Sequence, residues 1–530
     1  MKRFVAVVLS LILLLLAGCS SAPSTSNTGQ TGSDQTQTQT QTPSTTPQES
    51  KGPVTLTVSI GPDITTLDVQ KQGKMIDMNV LLQIFDTLLT MDENGQIAPN
   101  LATEWRNVDP LTWEFKLRQD VKFHNGEPFN AEAVKFSIDR LLDPATKSPI
   151  MELQYVTSVD VIDEYTVQIK TSLPDPIIPA KLTLFPGCVV PPQYIKEVGD
   201  EGFAAHPVGT GPFKFVEWVK DDHVTLERNP DYWGEKAKVD RLVFKAMPND
   251  ASRVAALQAG DVDLITNVPP DSIPVIESTP GLKVLSVPGT RAFYVVLNTK
   301  NPDSPLAKKE VRQAMNYALD VPTLIDTVLG GHGQQIATLI PPAMFGYTDT
   351  VKPYEYNLEK AKQLMAEAGY PDGFEVTMDV TSGSYLKDKD TAIAIAGMLE
   401  KIGIKVNVNV MENASFVAGL RAQTLNDMYF IGNLAWTMDG FNNLQAFVKT
   451  DRVYSRFSNA EADELIDIEE QSTDPQVRLE AFQRLQEILK EEAPFLYLWV
   501  GNQIYAMSDK VTWNGPSLEV FHFNTASKQQ

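Results

Sequence analysis

The fold of this chain is decided by the stretch HPVGTGPFKFVEWVKDDHVTLERNPDYWG, which spans residues 206–234. Its centre alternates apolar and polar residues on both sides of the polar segment 220–222, with the two-residue period of a β-strand. The alternating apolar residues are Phe213, Phe215, Val224 and Leu226. The stretch therefore predicts two half-buried strands joined as a hairpin.

A tight turn is predicted just before this hairpin. Gly209 and Gly211 lie between Pro207 and Pro212. Proline fixes its own φ, and glycine is the residue that accepts a positive φ without steric cost. We therefore expect the backbone to turn sharply here, with the glycines at positive φ.

Three other motifs share a family resemblance with this stretch. They are WEFKLRQDVKFHNGEPFNAEAVKFSIDRLLDP (113–144), SRVAALQAGDVDL (252–264) and ITTLD (64–68), the last followed by Val69 where proline is usual. Together with residues 206–234 they closely resemble family 5 of the bacterial extracellular solute-binding proteins. These are the oligopeptide-, dipeptide- and nickel-binding receptors of ABC importers, and the resemblance covers nearly all of residues 54–525.

The resemblance implies an α/β fold of two lobes, of the periplasmic-binding-protein type (class II, or cluster C), with an extra subdomain in the first lobe. Mapping by motif assigns each segment to a part of that fold. Lobe I comprises residues 53–94, 205–293 and 500–530, the extra subdomain comprises 95–204, and lobe II comprises 294–499.

Local patterns in the chain support an α/β class independently. Apolar residues alternate over 374–380 and again over 404–410, and a helix pattern lies between them. This order predicts a β-α-β unit with parallel strands. Residues 76–90 are predicted to form a helix, and Gly330-Gly331 is predicted to end another.

The N-terminus has the features of an export signal. Lys2-Arg3 precedes an apolar run, residues 4–16, that is short for a membrane span. The run closes in Leu-Ala-Gly-Cys19, which resembles a lipobox, so residues 1–18 are expected to be a lipoprotein signal peptide and Cys19 the lipidated residue. The alternative is an apolar anchor that is never cleaved. Residues 19–52 are rich in Ser, Thr and Gln and predict a disordered tether.

Composition excludes several classes of function. The 530 residues include 45 Lys and Arg against 67 Asp and Glu, a formal net charge of -22 that disfavours nucleic acid as a partner. With Cys19 in the signal, Cys188 has no intramolecular disulfide partner, and the five histidines lack metal-ligand spacing. No nucleophile elbow, phosphate-binding loop or H-E-x-x-H helix occurs. We therefore predict no catalytic residues, no metal, no cofactor and no enzymatic activity.

The most informative candidate for ligand binding is Trp436-Thr-Met-Asp439. It resembles the W-x-x-D of peptide-binding members, in which the aspartate pairs with the ligand's α-ammonium and the aromatic residue lines the pocket. The alternative is that Asp439 caps a loop and Trp436 belongs to the core. Residues 440–443 and Asn433 depart from the family pattern, which leaves the length of the ligand and the anchoring of its carboxylate open.

Four further residues are candidates for the cleft between the lobes. Phe293 and Tyr294 lie where the chain is expected to cross between lobes, and strand alternation permits only one of them to point inward. Arg291 either pairs with a ligand carboxylate or is paired within the protein. Trp499 is the fourth candidate.

The function implied is capture of a solute, most simply a short peptide, and its delivery to the permease subunits of an ABC transporter. An oligosaccharide stacked on Trp436, Tyr294 and Trp499 is the first alternative, and a nickel chelate is the second. A lipid-anchored hydrolase and a signalling receptor are alternatives of other classes. We expect a monomer, located outside the cytoplasm and held by its lipid on the outer face of the cell membrane or in the periplasm.

Overall fold

The structure is a computed structural model that describes residues 52–92 and 94–530. The predicted signal peptide, Cys19 with its predicted lipid, and nearly all of the predicted tether lie outside the described residues.

Strands dominate the centre of the molecule. They are β1 (Thr55–Gly61), β2 (Leu89–Met91), β3 (Ile97–Pro99), β4 (Ala102–Asp109), β5 (Thr112–Leu117), β6 (Val156–Asp163), β7 (Thr166–Thr171), β8 (Phe213–Val219), β9 (His223–Arg228), β10 (Arg241–Ala246), β11 (Leu264–Ile265), β12 (Leu282–Leu297), β13 (Gly333–Gln335), β14 (Phe374–Thr381), β15 (Ile404–Met411), β16 (Met428–Leu434), β17 (Phe495–Ser508), β18 (Val511–Thr512) and β19 (Ser527–Lys528).

Helices occupy much of the remaining chain. They are α1 (Met75–Leu81), α2 (Ala131–Leu142), α3 (Ile178–Lys181), α4 (Pro192–Ala205), α5 (Asp250–Ala259), α6 (Ile273–Glu277), α7 (Lys309–Tyr317), α8 (Val321–Leu329), α9 (Leu358–Glu367), α10 (Asp388–Glu400), α11 (Asn413–Ala422), α12 (Phe441–Phe447), α13 (Ala460–Gln471) and α14 (Pro475–Glu492).

One eleven-stranded sheet runs through the described residues. Its order is β15-β14-β16-β12-β17-β11-β1-β10-β9-β8, with β13 paired to β17. The antiparallel strands β12 and β17 are the longest, with 16 and 14 residues, and they lie between the two ends of the sheet. We call the part built on β1 and β8–β11 the first lobe and the part built on β14–β16 the second lobe.

The pairing of β12 with β17 is interrupted where the chain passes from one lobe to the other. Its register shifts between Pro288 and Ala292 and again between Phe293 and Tyr294. The predicted lobe boundaries, at 293/294 and 499/500, fall inside these two strands and stay predictions. Because only two strands cross here, this is the place where the lobes can move relative to each other.

A separate antiparallel sheet of four strands has the order β4-β5-β7-β6. It spans residues 102–171, inside the segment 95–204 that was assigned to the extra subdomain. Helix α2 packs beside β6 and β7, so this sheet has its own helical cover.

Local patterns gave both correct and incorrect predictions. The β-α-β unit is confirmed, because β14 and β15 are parallel and α10 lies between them. The end of α8 at Gly330 is also confirmed, with φ of 59° at that residue. The helix predicted over 76–90 is wrong: α1 ends at Leu81, and the chain turns before entering β2. Leu81 and the apolar residues after it are buried in tertiary contacts. Their apolar run therefore reflects burial in the core and not a longer helix.

The predicted hairpin of the 206–234 stretch is confirmed as β8 and β9, but the reason for its glycines is not the predicted one. Gly209 and Gly211 are absent from the residues with positive φ. A Cβ on Gly209 would lie 2.1 Å from the carbonyl oxygen of Ile84, and one on Gly211 would lie 2.6 Å from its carbonyl carbon. Glycine is needed because the backbone of this turn lies directly against the backbone at Ile84 and leaves no room for a Cβ. The amide of Gly211 donates a hydrogen bond to the Ile84 carbonyl at 2.8 Å.

A buried carboxylate next to that contact binds the hairpin to the rest of the first lobe. Asp86, 6% exposed, accepts hydrogen bonds from Thr210 Oγ1, Tyr232 Oη and Trp233 Nε1, each at 2.9 Å. Burial raises the pKa of Asp86, and the three hydrogen bonds oppose that rise. The three donors all come from the 206–234 stretch, so one side chain positions the turn and the segment after β9.

We expect Asp86→Ala to lower the free energy of unfolding by about 2–4 kcal/mol, because three donors lose their buried acceptor. Urea or thermal unfolding followed by circular dichroism measures the change. Asp139→Ala is the control: Asp139 pairs with Lys135 on the surface of α2, and its loss is expected to cost under about 0.5 kcal/mol. Equal stability of the two variants would contradict the role given to Asp86.

Candidate functional site

A cavity of about 1140 Å³ lies between the two lobes. The first lobe contributes residues 60–62, 248–250 and 267–270 to its wall, and the second lobe contributes residues 382–390. The crossing strands β12 and β17 form a further part of the wall. The site is therefore built from both lobes and from the strands that join them.

Three of the predicted site residues line this cavity: Arg291, Phe293 and Trp499. The ring of Phe293 packs edge-on against Tyr385, with centroids 5.4 Å apart, and lies 6.3 Å from the ring of Trp499. Trp499 is only 1% exposed, so its indole supports the wall rather than standing free in the cavity. Phe293 is the more accessible aromatic surface of the two.

Arg291 is paired within the protein. Its Nε and Nη2 donate to the two carboxylate oxygens of Glu519 at 3.0 and 2.8 Å, and Nη1 donates to the carbonyl of Gly432 at 3.3 Å. Gln503 also donates to Glu519, at 3.0 Å. Burial lowers the pKa of the Arg291 guanidinium, whereas the charge and the hydrogen bonds of Glu519 raise it. The net result is a pKa above the ordinary value of arginine. This pair ties β12 to the C-terminal segment at the base of the cavity.

Tyr294 lies on the opposite side of β12 from Phe293, as alternation along a strand requires. It is fully buried, and its ring packs edge-on against Phe447 and Phe495, with centroids 5.5 Å apart in both cases. Among the described residues its hydroxyl has no hydrogen-bond partner. Tyr294 is outside the lining of the cavity.

Asp439 also lies outside that lining, in a buried ion pair with Arg478. Arg478 Nη2 donates to Oδ1 at 2.8 Å and Nη1 donates to Oδ2 at 2.9 Å, while the amide of Phe441 donates to Oδ1 at 3.0 Å. A second carboxylate, that of fully buried Glu469, lies 3.5 Å from Arg478. Burial raises the pKa of Glu469 well above its ordinary value. Sequence reasoning missed Arg478, which lies 39 residues further along the chain, in α14.

Trp436 packs against the segment assigned to the extra subdomain. Its ring meets that of Phe185 edge-on, with centroids 5.6 Å apart. Two residues further on, Met438 covers Gly95 so closely that a Cβ on that glycine would lie 2.7 Å from its terminal methyl carbon. The W-x-x-D segment thus forms a packed contact between the second lobe and residues 95–204.

An ion pair also joins the two lobes at the cavity. Lys387, at the start of α10, donates to Asp271 of the first lobe at 2.5 Å. Next to it, Asp388 holds the loop before α10 in place by accepting from the amides of Gly383 and Ser384, both at 3.0 Å. No sequence pattern predicts either arrangement, because each depends on how the loop before α10 folds.

Within residues 52–92 and 94–530, no group of three or more His, Cys, Asp or Glu side chains is arranged to hold a metal ion. In the same part of the chain, no helix combines the length and the apolar character needed to cross a membrane.

An α/β protein whose two lobes are joined by crossing strands and enclose a cavity between them has the architecture of an extracytoplasmic solute receptor. The family described as "Bacterial extracellular solute-binding proteins, family 5 Middle" matches residues 96–455. The chain belongs to this family, whose proteins are the substrate-binding receptors of ABC importers and not enzymes. The predicted family and the two-lobed fold are therefore confirmed.

Relatives and solved structures extend the similarity over most of the chain. Heme-binding protein A of Haemophilus influenzae is 30% identical over 452 residues, which cover 78% of this chain and 81% of the relative. Glutathione-binding protein GsiB of Escherichia coli O1:K1 is 26% identical over 490 residues, covering 89% and 94%. The structure of DppA from Helicobacter pylori in complex with the peptide STSA has a TM-score of 0.76 and 28% identity, covering 90% and 98%.

We expect Arg291→Gln to lower the free energy of unfolding by about 2 kcal/mol, because Glu519 keeps its partly buried charge and loses its main partner. Thermal unfolding of the ligand-free protein measures this. Arg228→Gln is the matched control, since it removes a more exposed pair with Asp240 and is expected to cost under about 1 kcal/mol. If both variants unfold at the temperature of the unaltered protein, the Arg291–Glu519 pair does not stabilise the base of the cavity.

Proposed function

We propose that this protein is a lipid-anchored receptor that captures a short peptide in the cavity between its lobes and presents it to the permease subunits of an ABC transporter. The observation that carries the proposal is the cavity itself. Its volume of about 1140 Å³ lies just above the range of about 300–1,000 Å³ usual for small-molecule sites. That volume suits a ligand of several residues better than a single amino acid.

The relatives support a peptide as the ligand. One is named for binding glutathione, and one solved structure contains the tetrapeptide STSA. The chemistry of the wall fits as well, because it combines backbone segments from β1 and β17 with polar side chains from both lobes. An extended peptide needs partners for its own amide and carbonyl groups, and such segments supply them.

Binding would be coupled to closure. A ligand that touches both lobes favours the closed arrangement by the contacts it makes only there, and the two crossing strands allow the lobes to move as units. The closed form is then the one that the permease recognises. Phe293 and Arg291, in the crossing strand, are the predicted site residues best placed to sense a ligand.

The oligosaccharide alternative is less well supported by this geometry. Of the three aromatic side chains considered as stacking surfaces, Trp436 and Tyr294 are packed elsewhere, and Trp499 is almost fully covered. A sugar needs an exposed aromatic face on which to stack. Phe293 and Tyr385 each offer a partly exposed ring at the cavity wall, but the two rings pack edge-on against each other.

A thermal-shift titration of the purified protein tests the proposed ligand class, with dipeptides, tetrapeptides, gluco-oligosaccharides and heme as probes. We expect peptides to raise the melting temperature, because a ligand at a hundred times its dissociation constant adds about 2.7 kcal/mol to the free energy of unfolding. For a protein of this size the shift is at least about two degrees. A shift with sugars or heme and none with peptides would overturn the assignment.

The lipid anchor is tested by growing the producing cells with radiolabelled palmitate. Cys19→Ser is expected to abolish labelling, because the lipid is attached to that thiol. Cys188→Ala is the matched control and should keep the label, since Cys188 is 2% exposed inside the folded protein. Label that persists in Cys19→Ser would refute the anchor at this residue.

A further inference from the structure

We propose that the receptor selects its peptide through the ligand's carboxylates, and that a free α-ammonium is not required for binding. This deepens the proposed function and depends on it. The inference rests on which charges at the cavity are already paired inside the protein and which are not.

The balance of charge at the cavity differs from that of the whole chain. The wall carries five Lys and Arg side chains against four Asp and Glu side chains, whereas the chain has 45 against 67. Two of the five cations, Lys74 and Lys389, form no ion pair in the part of the chain that the structure describes, and both are exposed. One belongs to the first lobe and the other to the second, so unpaired positive charge faces a ligand from both sides.

The carboxylates of the wall are mostly engaged. Asp250 pairs with Arg253 at 2.6 Å, Glu519 pairs with Arg291, and Asp388 accepts from the loop amides. The fourth, Asp390, lies 3.9 Å from Lys387. A ligand ammonium would therefore compete with partners already in place, while a ligand carboxylate would find free lysines.

Asp439, the carboxylate expected to bind an ammonium, is neutralised from within. Arg478 donates to both of its oxygens, and Asp439 is 6% exposed. Breaking that pair to admit a ligand would leave the guanidinium buried beside Glu469 alone, and unpairing a buried charge costs about 3–5 kcal/mol. The ammonium of an ordinary peptide does not repay that cost, so this position gives no preference for a free N-terminus.

Isothermal titration calorimetry of the purified protein tests the inference with one sequence, Ala-Glu-Glu-Ala, in several forms. The forms are the unmodified peptide, its N-acetylated and C-amidated derivatives, Ala-Gln-Gln-Ala, and amidated Ala-Gln-Gln-Ala. We expect acetylation to leave the dissociation constant nearly unchanged. Amidation and the change of Glu to Gln should each weaken binding by about fivefold or more, the factor that corresponds to about 1 kcal/mol.

Variants of the two lysines locate the effect. Lys74→Gln and Lys389→Gln should each weaken binding of Ala-Glu-Glu-Ala by about fivefold and change that of amidated Ala-Gln-Gln-Ala much less. Lys122→Gln, at an exposed lysine outside the cavity lining, is the control and should change neither.

The two proposals fail in different ways. Binding that is lost on acetylation and kept on amidation would overturn selection by carboxylates while leaving a peptide receptor in place. Equal binding of all forms, or no effect of either cavity lysine, would also overturn it. If none of these forms binds while other peptides raise the melting temperature in the thermal-shift titration, the inference fails and the peptide function stands. If no peptide raises the melting temperature either, the proposed peptide function fails, and the inference fails with it.

Discussion

The first lobe depends on one buried carboxylate. Asp86 receives three hydrogen bonds from Thr210, Tyr232 and Trp233, and beside it the backbone at Gly209–Gly211 lies directly against residues 83–84. Removing a carboxylate from water is costly unless its oxygens are fully hydrogen-bonded, so these donors have to converge. The turn, the hairpin and the end of α1 are thereby fixed to one another.

That arrangement extends to the cavity through α1 and the residues just after it. Gln83 bonds the backbone of Phe521 and Phe523, and Asn79 bonds the backbone of Glu519 and Phe521. Glu519 in turn holds Arg291 on the crossing strand β12. A continuous set of hydrogen bonds therefore runs from the 206–234 stretch to the base of the ligand cavity. The position of the crossing strand depends on residues far from any ligand.

The sequence predicted those parts of the fold that repeat a local pattern. The β8–β9 hairpin, the parallel β14-α10-β15 unit and the glycine stop at Gly330 each follow from a few consecutive residues and were correct. The resemblance supplied the family and the two-lobed fold, which no local pattern contains. Errors occurred where tertiary contacts decide the outcome, as in the early end of α1 and in the reason for Gly209 and Gly211.

The candidate site was less predictable because its chemistry lies in pairs distant in the sequence. The alternation of side chains along a strand predicts that Phe293 and Tyr294 point to opposite sides of the sheet. It does not predict which of the two faces the cavity. The pairing of Asp439 with Arg478, and of Lys387 with Asp271, required knowledge of how separate elements meet. The sequence of one chain contains no local pattern that predicts which distant residues will pair.

The two crossing strands have a consequence for the order in which the protein becomes folded. Both halves of the large sheet contain the pairing of β12 with β17, and β17 follows β12 only after the whole of the second lobe's other strands. Synthesis delivers the chain from its N-terminal side, so neither lobe has its central strand pair until β17 has emerged. The residues of the first lobe that precede β12 must wait for β17, which favours late and concerted maturation of both lobes.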